Sequence, residues 1–238
     1  MKFYRRLTPI KALSFDLDDT LYSNHPIMRE TEQQMLSYFN EHFPQTTKHG
    51  NNVGKAFWRK HRAQALMLQP ELIDDVTKLR LYSYQLAIKS LGYSTAQSDS
   101  KAQAALAHFT LHRSNFSLPK KSYDLLQQLA QHFPLVAITN GNVDFDKLGL
   151  RTFFQRIYTP GNGTKRKPHD DMFTQACQHL AIKNQQLLHI GDCGSADILG
   201  ALQAGCQTVW LNKYNVGKPL SVLPHIELSR LDHLLAFC

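Results

Sequence analysis

Apolar positions along this chain fall into two regimes. In the first, short runs of strand length stop at Gly, Pro, Asp or Asn: Ala12 to Phe15, Leu135 to Ile138, Arg156 to Thr159, Leu187 to Ile190 and Thr208 to Leu211. Most of these runs are apolar on both faces, as strands are when helices cover both sides of a parallel sheet. Helix signals separate the last four runs. Asp170 to Leu180 follows Pro168, and Asp197 to Ala204 is closed by Gly205, a residue suited to the left-handed turn that ends a helix. Strands alternating with helices predict an α/β fold, a doubly wound Rossmann-like parallel sheet.

In the second regime, from about His25 to Phe116, strand runs disappear and the period becomes helical. Ile27, Thr31, Met35, Tyr38 and Phe39 share one face before Pro44 stops the helix, and Val76, Leu79, Tyr82, Leu86 and Ile88 form another stripe before Gly92. The polar stretches Gln45 to Asn52 and Ser94 to Ser100 read as loops. The pattern therefore predicts an α/β core domain made of residues 1–23 and 117–238, interrupted by an all-helical cap domain at 24–116.

Composition narrows the class without deciding function. The 238 residues are 42% hydrophobic and 19% charged, enough apolar material for a core and too little net charge for a disordered chain. A formal charge of +8 favours anionic partners. The basic residues are scattered, however, and no nucleic-acid-binding motif appears, so no nucleic acid is expected. Four cysteines without C-x-x-C spacing, no signal-peptide h-region and no long apolar run point to a cytoplasmic protein that engages no membrane. A monomer or weak homo-oligomer is expected.

The chemistry sits where the apolar runs end. After the first comes Asp16-Leu17-Asp18-Asp19-Thr20, with three carboxylates in four positions. Such crowding is unfavourable unless a cation or proton is shared. Asp16 and Asp18, two apart on extended chain, face one side, so one can act as nucleophile while the other exchanges a proton with the departing group. A solvated turn with Thr20 as helix cap is the plain alternative. The second run ends in Thr139-Asn140-Gly141-Asn142, whose hydroxyl, amide and backbone N–H groups can hold phosphate oxygens. The fourth ends in Gly191-Asp192-Cys193-Gly194-Ser195-Ala196-Asp197, where Asp192 is a plausible Mg²⁺ ligand and Asp197 reads as a helix N-cap. Lys167, just before a Pro168 read as the first residue of a helix, can aim an ammonium group at the carboxyl edge of the sheet, where ligands of such folds bind.

These four motifs, D-x-D-x-T at Asp16 to Thr20, Thr139, Lys167 and G-D-x-x-x-x-D at Gly191 to Asp197, resemble in order those of haloacid dehalogenase superfamily hydrolases. The Asp197 to Gly205 stretch is similar to that family's D-x-x-G-A-x-x-A-G. The overall text, from Phe3-Tyr4-Arg5 to Leu223 through Leu231, is also similar to bacterial phosphatases of flavin mononucleotide (FMN) and of the riboflavin-pathway intermediate 5-amino-6-(5-phospho-D-ribitylamino)uracil. The resemblance implies a phosphoric monoester hydrolase acting on a small phosphorylated metabolite. It implies Asp16 as nucleophile, Asp18 as acid and base, and Lys167, Thr139 and Asn140 around the phosphoryl group. Mg²⁺ would be held by Asp16, the Asp18 backbone carbonyl and Asp192, with Asp197 in support. Cys193 stands where many relatives carry Ser or Asp and is left out of the metal shell.

Two other functions remain open: a 2-haloacid dehalogenase in which Asp16 attacks carbon, and a receiver-like signalling module whose phospho-Asp persists. Asp18 disfavours both. His108 and His112 have zinc-pair spacing but lack a third ligand and read as surface residues. His189 reads as a satisfied core residue. Phe57, Trp58 and Tyr82 read as packing, and Arg59, Lys60 and Arg62 as a solvated basic face.

Overall fold

The computed structural model describes residues 1–43, 54–214 and 219–238. Pro44 and the Gln45 to Asn52 loop expected above lie outside the described residues. The chain separates into two compact units, one of Met1–Asn24 with Ser117–Cys238 and the other His25–Phe116.

In the first unit seven strands form one sheet: β1 (Lys2–Phe3), β2 (Ala12–Phe15), β3 (Leu135–Ile138), β4 (Arg156–Tyr158), β5 (Leu187–Gly191), β6 (Gln207–Leu211) and β7 (Ile226–Leu228). Their order is β1-β7-β6-β5-β2-β3-β4. Every neighbouring pair is parallel except β1 with β7. The five expected strands are all present. β1 and β7 escaped the sequence reading because two or three residues at a sheet edge, with Lys2 and Phe3 exposed, carry too little periodicity to register.

β2, β3 and β5 are buried along their whole length. One face of the sheet packs Ala12, Val136, Ile138 and Leu187 against Met172, Phe173, Ala176 and Ala201. These last four come from helices α6 (Asp171–His179) and α7 (Gly200–Gln203). Pro168 does not begin α6. The chain first makes a turn in which the His169 N–H donates to Arg166 O (3.0 Å), and the helix starts at Asp171.

Two polar residues interrupt this apolar core. Ser14 on β2 and His189 on β5 are register partners, both 0% exposed. They coexist there because Ser14 Oγ bonds His189 Nδ1 at 2.9 Å; a buried polar group without a partner costs ~1–3 kcal/mol. β2 lies between β3 and β5. The chain runs from β2 to β3 on one side and reaches β5 on the other only after β4, so the strand order reverses beside β2, and the crevice beyond such a reversal is where α/β folds bind ligands.

The second unit is helical throughout its described residues: α1 (Asn24–His42), α2 (Lys55–Leu68), α3 (Val76–Ser90) and α4 (Thr95–Arg113), with a short 3₁₀ turn at Pro70–Asp74. Met35, Phe39, Tyr84, Ile88, Ala105 and Phe109 form one cluster. Leu79 of α3 joins Ala65 and Leu72 in another, with Tyr82 and Leu86 packed against it. The stripe read along α3 is therefore shared between two clusters. Ser94 to Ser100 is not a loop. Ser94 caps α4 by accepting from the Gln97 N–H, and Gln97 Oε1 accepts from the Ser94 N–H. This reciprocal S-x-x-Q pairing starts a helix within a polar run. Helix α5 (Lys120–Leu129) returns the chain to the first unit. No helix among the described residues is long and apolar enough to cross a membrane.

Candidate active site

The ends of β2, β3 and β5 converge on a cleft of about 260 Å³ lined by Asp16, Asp18, Thr139, Asn140, Lys167, Asp192 and Asp197 among others. The hydrogen-bond ladder continues one residue past β2, since the Asp16 N–H donates to Ile190 O (2.9 Å). The carboxylate of Asp16 is thus fixed at the sheet's edge. The chain then turns sharply, with the Thr20 and Leu21 N–H groups both donating to Leu17 O. Asp19 adopts a left-handed φ of 58°, and its Oδ1 accepts from the Asn24 N–H (2.8 Å) where α1 begins. Asp19 therefore serves the turn as well as lining the cleft beside Asp18. Tyr22 Oη donates to Asp18 Oδ1 (2.7 Å). Oδ2 lies so close to Gly141 that a Cβ there would stand 2.7 Å from it.

Lys167 is 2% exposed, and its ammonium donates to Asp16 Oδ1 (2.7 Å), Asp197 Oδ1 (2.7 Å) and Ile138 O (2.6 Å). Three hydrogens meet three acceptors. Asn140 fixes the lysine's backbone: its Oδ1 accepts from the Lys167 N–H (2.9 Å) and its Nδ2 donates to Lys167 O (3.0 Å). The Asn140 side chain, expected at phosphate, is occupied with this clasp. Thr139 is buried, and its Oγ1 accepts from the Gly141 N–H (3.0 Å), which leaves the hydroxyl hydrogen to be donated.

Asp197 is not a helix N-cap. It lies within a wide turn, Gly194–Leu199, at 1% exposure. Besides Lys167 it accepts from His189 Nε2 (3.2 Å) and from the Cys193 N–H (2.9 Å). Gly191 makes room for it, since a Cβ at that position would overlap the Asp197 carboxylate. Asp192 is held from behind by Trp210 Nε1, which donates to its backbone O (2.8 Å). Thr20 Oγ1 stands between Asp192 Oδ1 (3.3 Å) and Asp16 Oδ2 (3.4 Å), orienting both carboxylates instead of capping a helix.

One ammonium cannot neutralise this many buried carboxylates. Burial, reinforced by Asp197 and Asp18 against the pull of Lys167, pushes the Asp16 carboxyl up to about 7. Burial and the charges of Asp197, Asp16 and Asp19 push Asp192 up to about 9. Burial acts the same way on Asp197, but Lys167 and His189 outweigh it and hold that carboxyl well below its ordinary range. Burial would also strip Lys167 of its proton, yet Asp16 and Asp197 raise its pKa instead. His189 is lowered by burial, which keeps the imidazole neutral.

The site therefore carries an excess of negative charge suited to a cation. Carboxylate oxygens of Asp16, Asp192 and Asp197 lie within 4.8 Å of one another. Asp197 is committed to Lys167, His189 and Cys193, so Asp16 and Asp192 are the carboxylates left to face an ion. An all-oxygen donor set suits a hard divalent cation. Cys193 lines the cleft, with Sγ 3.6 Å from Ser195 Oγ.

Tyr22 and Ser14 were missed as contributors. An aromatic four positions after Asp18 was the only available signal for Tyr22. His189 is satisfied, as expected, but its partners tie it to the site. His108 and His112, read as surface residues, are half-buried; their rings, 4.4 Å apart, continue a stack through Tyr38 to His42.

Comparison with known proteins agrees with this geometry. Residues 10–205 match the family model described as haloacid dehalogenase-like hydrolase. The chain is 35% identical over 238 residues to the Escherichia coli 5-amino-6-(5-phospho-D-ribitylamino)uracil phosphatase YigB, covering 98% of each chain. It is 25% identical to a glyceraldehyde 3-phosphate phosphatase of Methanopyrus kandleri, covering 95% of this chain and 96% of that one. The crystal structure of a 2-haloacid dehalogenase from Pseudomonas syringae superposes with a TM-score of 0.86 at 28% identity, covering 96% of this chain and 99% of that one. Strand order, motif order and these matches together establish that the chain belongs to the haloacid dehalogenase-like hydrolase family.

Proposed function

We propose that this phosphatase of the haloacid dehalogenase-like family hydrolyses a small phosphorylated metabolite through an aspartyl-phosphate on Asp16, with Mg²⁺ held by Asp16, Asp192 and the Asp18 backbone carbonyl. The observation that carries the reading is a buried Asp16 carboxylate, 2.7 Å from Lys167 Nζ, in one cleft with Asp18 and Asp192.

Asp16 attacks phosphorus as the bond to the leaving oxygen breaks. Asp18 gives that oxygen its proton, its carboxyl oriented by the Tyr22 hydroxyl on Oδ1. The resulting Asp18 carboxylate then takes a proton from water, whose oxygen attacks phosphorus and releases Asp16 and inorganic phosphate. Lys167 supports Asp16 in its ionised form, and the Thr139 hydroxyl donates to the transferring group. Phosphoryl transfer needs alignment and neutralised charge above all. Bound Mg²⁺ would add, beside the Lys167 ammonium, the further positive charge that the carboxylates and phosphoryl oxygens require.

The substrate we infer carries a flat heterocycle, FMN and 5-amino-6-(5-phospho-D-ribitylamino)uracil being the leading candidates. The relative with 35% identity is named for the latter. The helical unit, to which we assign substrate selection as the cap domain, contains a cavity of about 410 Å³ lined by Phe39, Trp58, Tyr84 and Phe109 together with Arg29 and Arg80. Aromatic faces beside cations suit a planar ring bearing acceptor oxygens.

A phosphate-release screen with and without Mg²⁺, run on wild type and Asp16→Asn, tests the reading. Mg²⁺-dependent release that vanishes in the folded variant is expected, and normal release from Asp16→Asn would refute it. The dehalogenase reading draws on the name of the Pseudomonas syringae relative. It gives no task to the Asp18–Tyr22 pair, and metal-independent halide release from 2-haloacids would favour it.

A further inference from the structure

We propose that His189, oriented by Ser14, is a positioning residue that holds Asp197, and through it Lys167, in line with Asp16; this inference rests on the aspartyl-phosphate reading above. Four bonds make a continuous chain from inside the sheet to the cleft. Ser14 Oγ meets His189 Nδ1 at 2.9 Å, His189 Nε2 meets Asp197 Oδ1 at 3.2 Å, and Lys167 Nζ lies 2.7 Å from both Asp197 Oδ1 and Asp16 Oδ1.

The direction of these bonds follows from donor counting. An ionised Asp197 only accepts, so Nε2 must carry the ring hydrogen. In a neutral imidazole Nδ1 is then an acceptor, and Ser14 must be the donor. Phe173 packs edge-on to the ring, with centroids 4.9 Å apart and planes at 86°, and so sets the plane of the imidazole. Asp197 therefore selects the tautomer, Ser14 satisfies the acceptor left at Nδ1, and Phe173 restrains the ring.

The consequence falls on Lys167. Asp197 Oδ1 accepts from both His189 and Lys167, and Oδ2 accepts from the Cys193 N–H. Without the His189 hydrogen, Oδ1 has Lys167 as its one donor in a sealed environment. Its attraction for the ammonium rises, and the ammonium is drawn from Asp16 toward Asp197. Chemistry at Asp16 suffers while substrate contacts elsewhere are untouched. Groups that orient a reacting side chain from behind typically govern about 10- to 100-fold in activity.

The test compares His189→Leu, which fills the space without donating, with His189→Gln, whose terminal amide can donate from near the Nε2 position. For the Leu variant we expect kcat to fall about 10- to 100-fold, with KM within a factor of about three and a cooperative melt retained. Gln should restore most of kcat. Equal kcat in Leu variant and wild type, or equal impairment of Leu and Gln, would overturn the proposal. Wild-type activity measured alongside judges the phosphatase reading separately. Ring ¹⁵N shifts of His189 judge the inference without turnover: the Nε2–H tautomer in wild type supports it, and the Nδ1–H tautomer overturns it.

Discussion

Replacing Lys167 by Met keeps the chain's bulk and removes all three hydrogen-bond donors. Ile138 O loses its charged partner, while Asp16 and Asp197 lose the cation 2.7 Å from each. Breaking a buried ion pair by deleting one member costs ~3–5 kcal/mol. The penalty is capped on the Asp16 side, because a carboxyl already pushed up to about 7 can take a proton near neutrality at little further cost. Asp197 has no such escape and carries most of the loss. At ~2–4 °C per kcal/mol for a chain of this size, the melting temperature should fall by ~6–20 °C. Added Mg²⁺ should recover part of that fall by supplying positive charge to the same carboxylates. Activity should fall ~100- to 1000-fold, the usual effect of deleting one preorganised donor from a charge-developing centre. Differential scanning fluorimetry with Mg²⁺ or EDTA, beside steady-state phosphate release, reads both quantities. A Lys167→Met protein that melts with wild type in EDTA, or retains more than about a third of kcat, would refute the reasoning that one ammonium balances this cleft.

Three further outcomes follow from the same geometry. Asp192 is pushed up to about 9 against ~3.9 in an unfolded chain. Between those pH values the folded metal-free protein holds a proton that the unfolded chain has released, so this group's contribution to stability is full below about pH 4 and is lost as pH rises toward 9. Mg²⁺ replaces that proton, so the rise in melting temperature it confers should grow from pH 5.5 to pH 8.5; an equal rise at both would contradict the charge argument. Tyr22→Phe removes the donor to Asp18 Oδ1 and should lower kcat about 10-fold or more on alkyl phosphates, in line with a charged hydrogen bond of ~1.5–3 kcal/mol. The same change should do little with p-nitrophenyl phosphate, whose leaving group needs no proton, and equal losses on the two substrates would deny Asp18 its role as acid. Gly141→Ala places a methyl 2.7 Å from Asp18 Oδ2 and 3.3 Å from Thr139 Oγ1, and activity should drop at least about 10-fold with folding intact. Unchanged kcat there would show that Asp18 does not work from its observed position.

The central strands were readable because β2, β3 and β5 are buried on both sides, which writes a continuous apolar run into the sequence. β1 and β7 left no such mark. The start of α4 was misread because Ser94 to Ser100 is polar, although Ser94 and Gln97 carry the spacing of a reciprocal cap. Among site residues, Asp16, Asp18 and Asp192 announced themselves by charge at strand ends and Lys167 by its place before a proline, and the structure brings all four to one cleft. Spacing misled at Asp197 and Pro168. A carboxylate near the mouth of a helix resembles a cap until a lysine 30 positions away is seen to hold it. A proline after Lys167 resembles a helix start until Asn140 is seen clasping the backbone of that lysine. Ser14 and His189 were unreadable as a pair, since 175 positions separate them and only strand register makes them neighbours.

The central claim is that Asp16 is phosphorylated during turnover. Quenching the Mg²⁺-loaded enzyme in acid under saturating substrate, reducing with borohydride and sequencing the peptides by mass spectrometry tests it most directly. The account predicts homoserine at position 16, formed from the acyl phosphate, and none in Asp16→Asn. Full turnover with no reduced residue at position 16, or with homoserine at another aspartate, would contradict it.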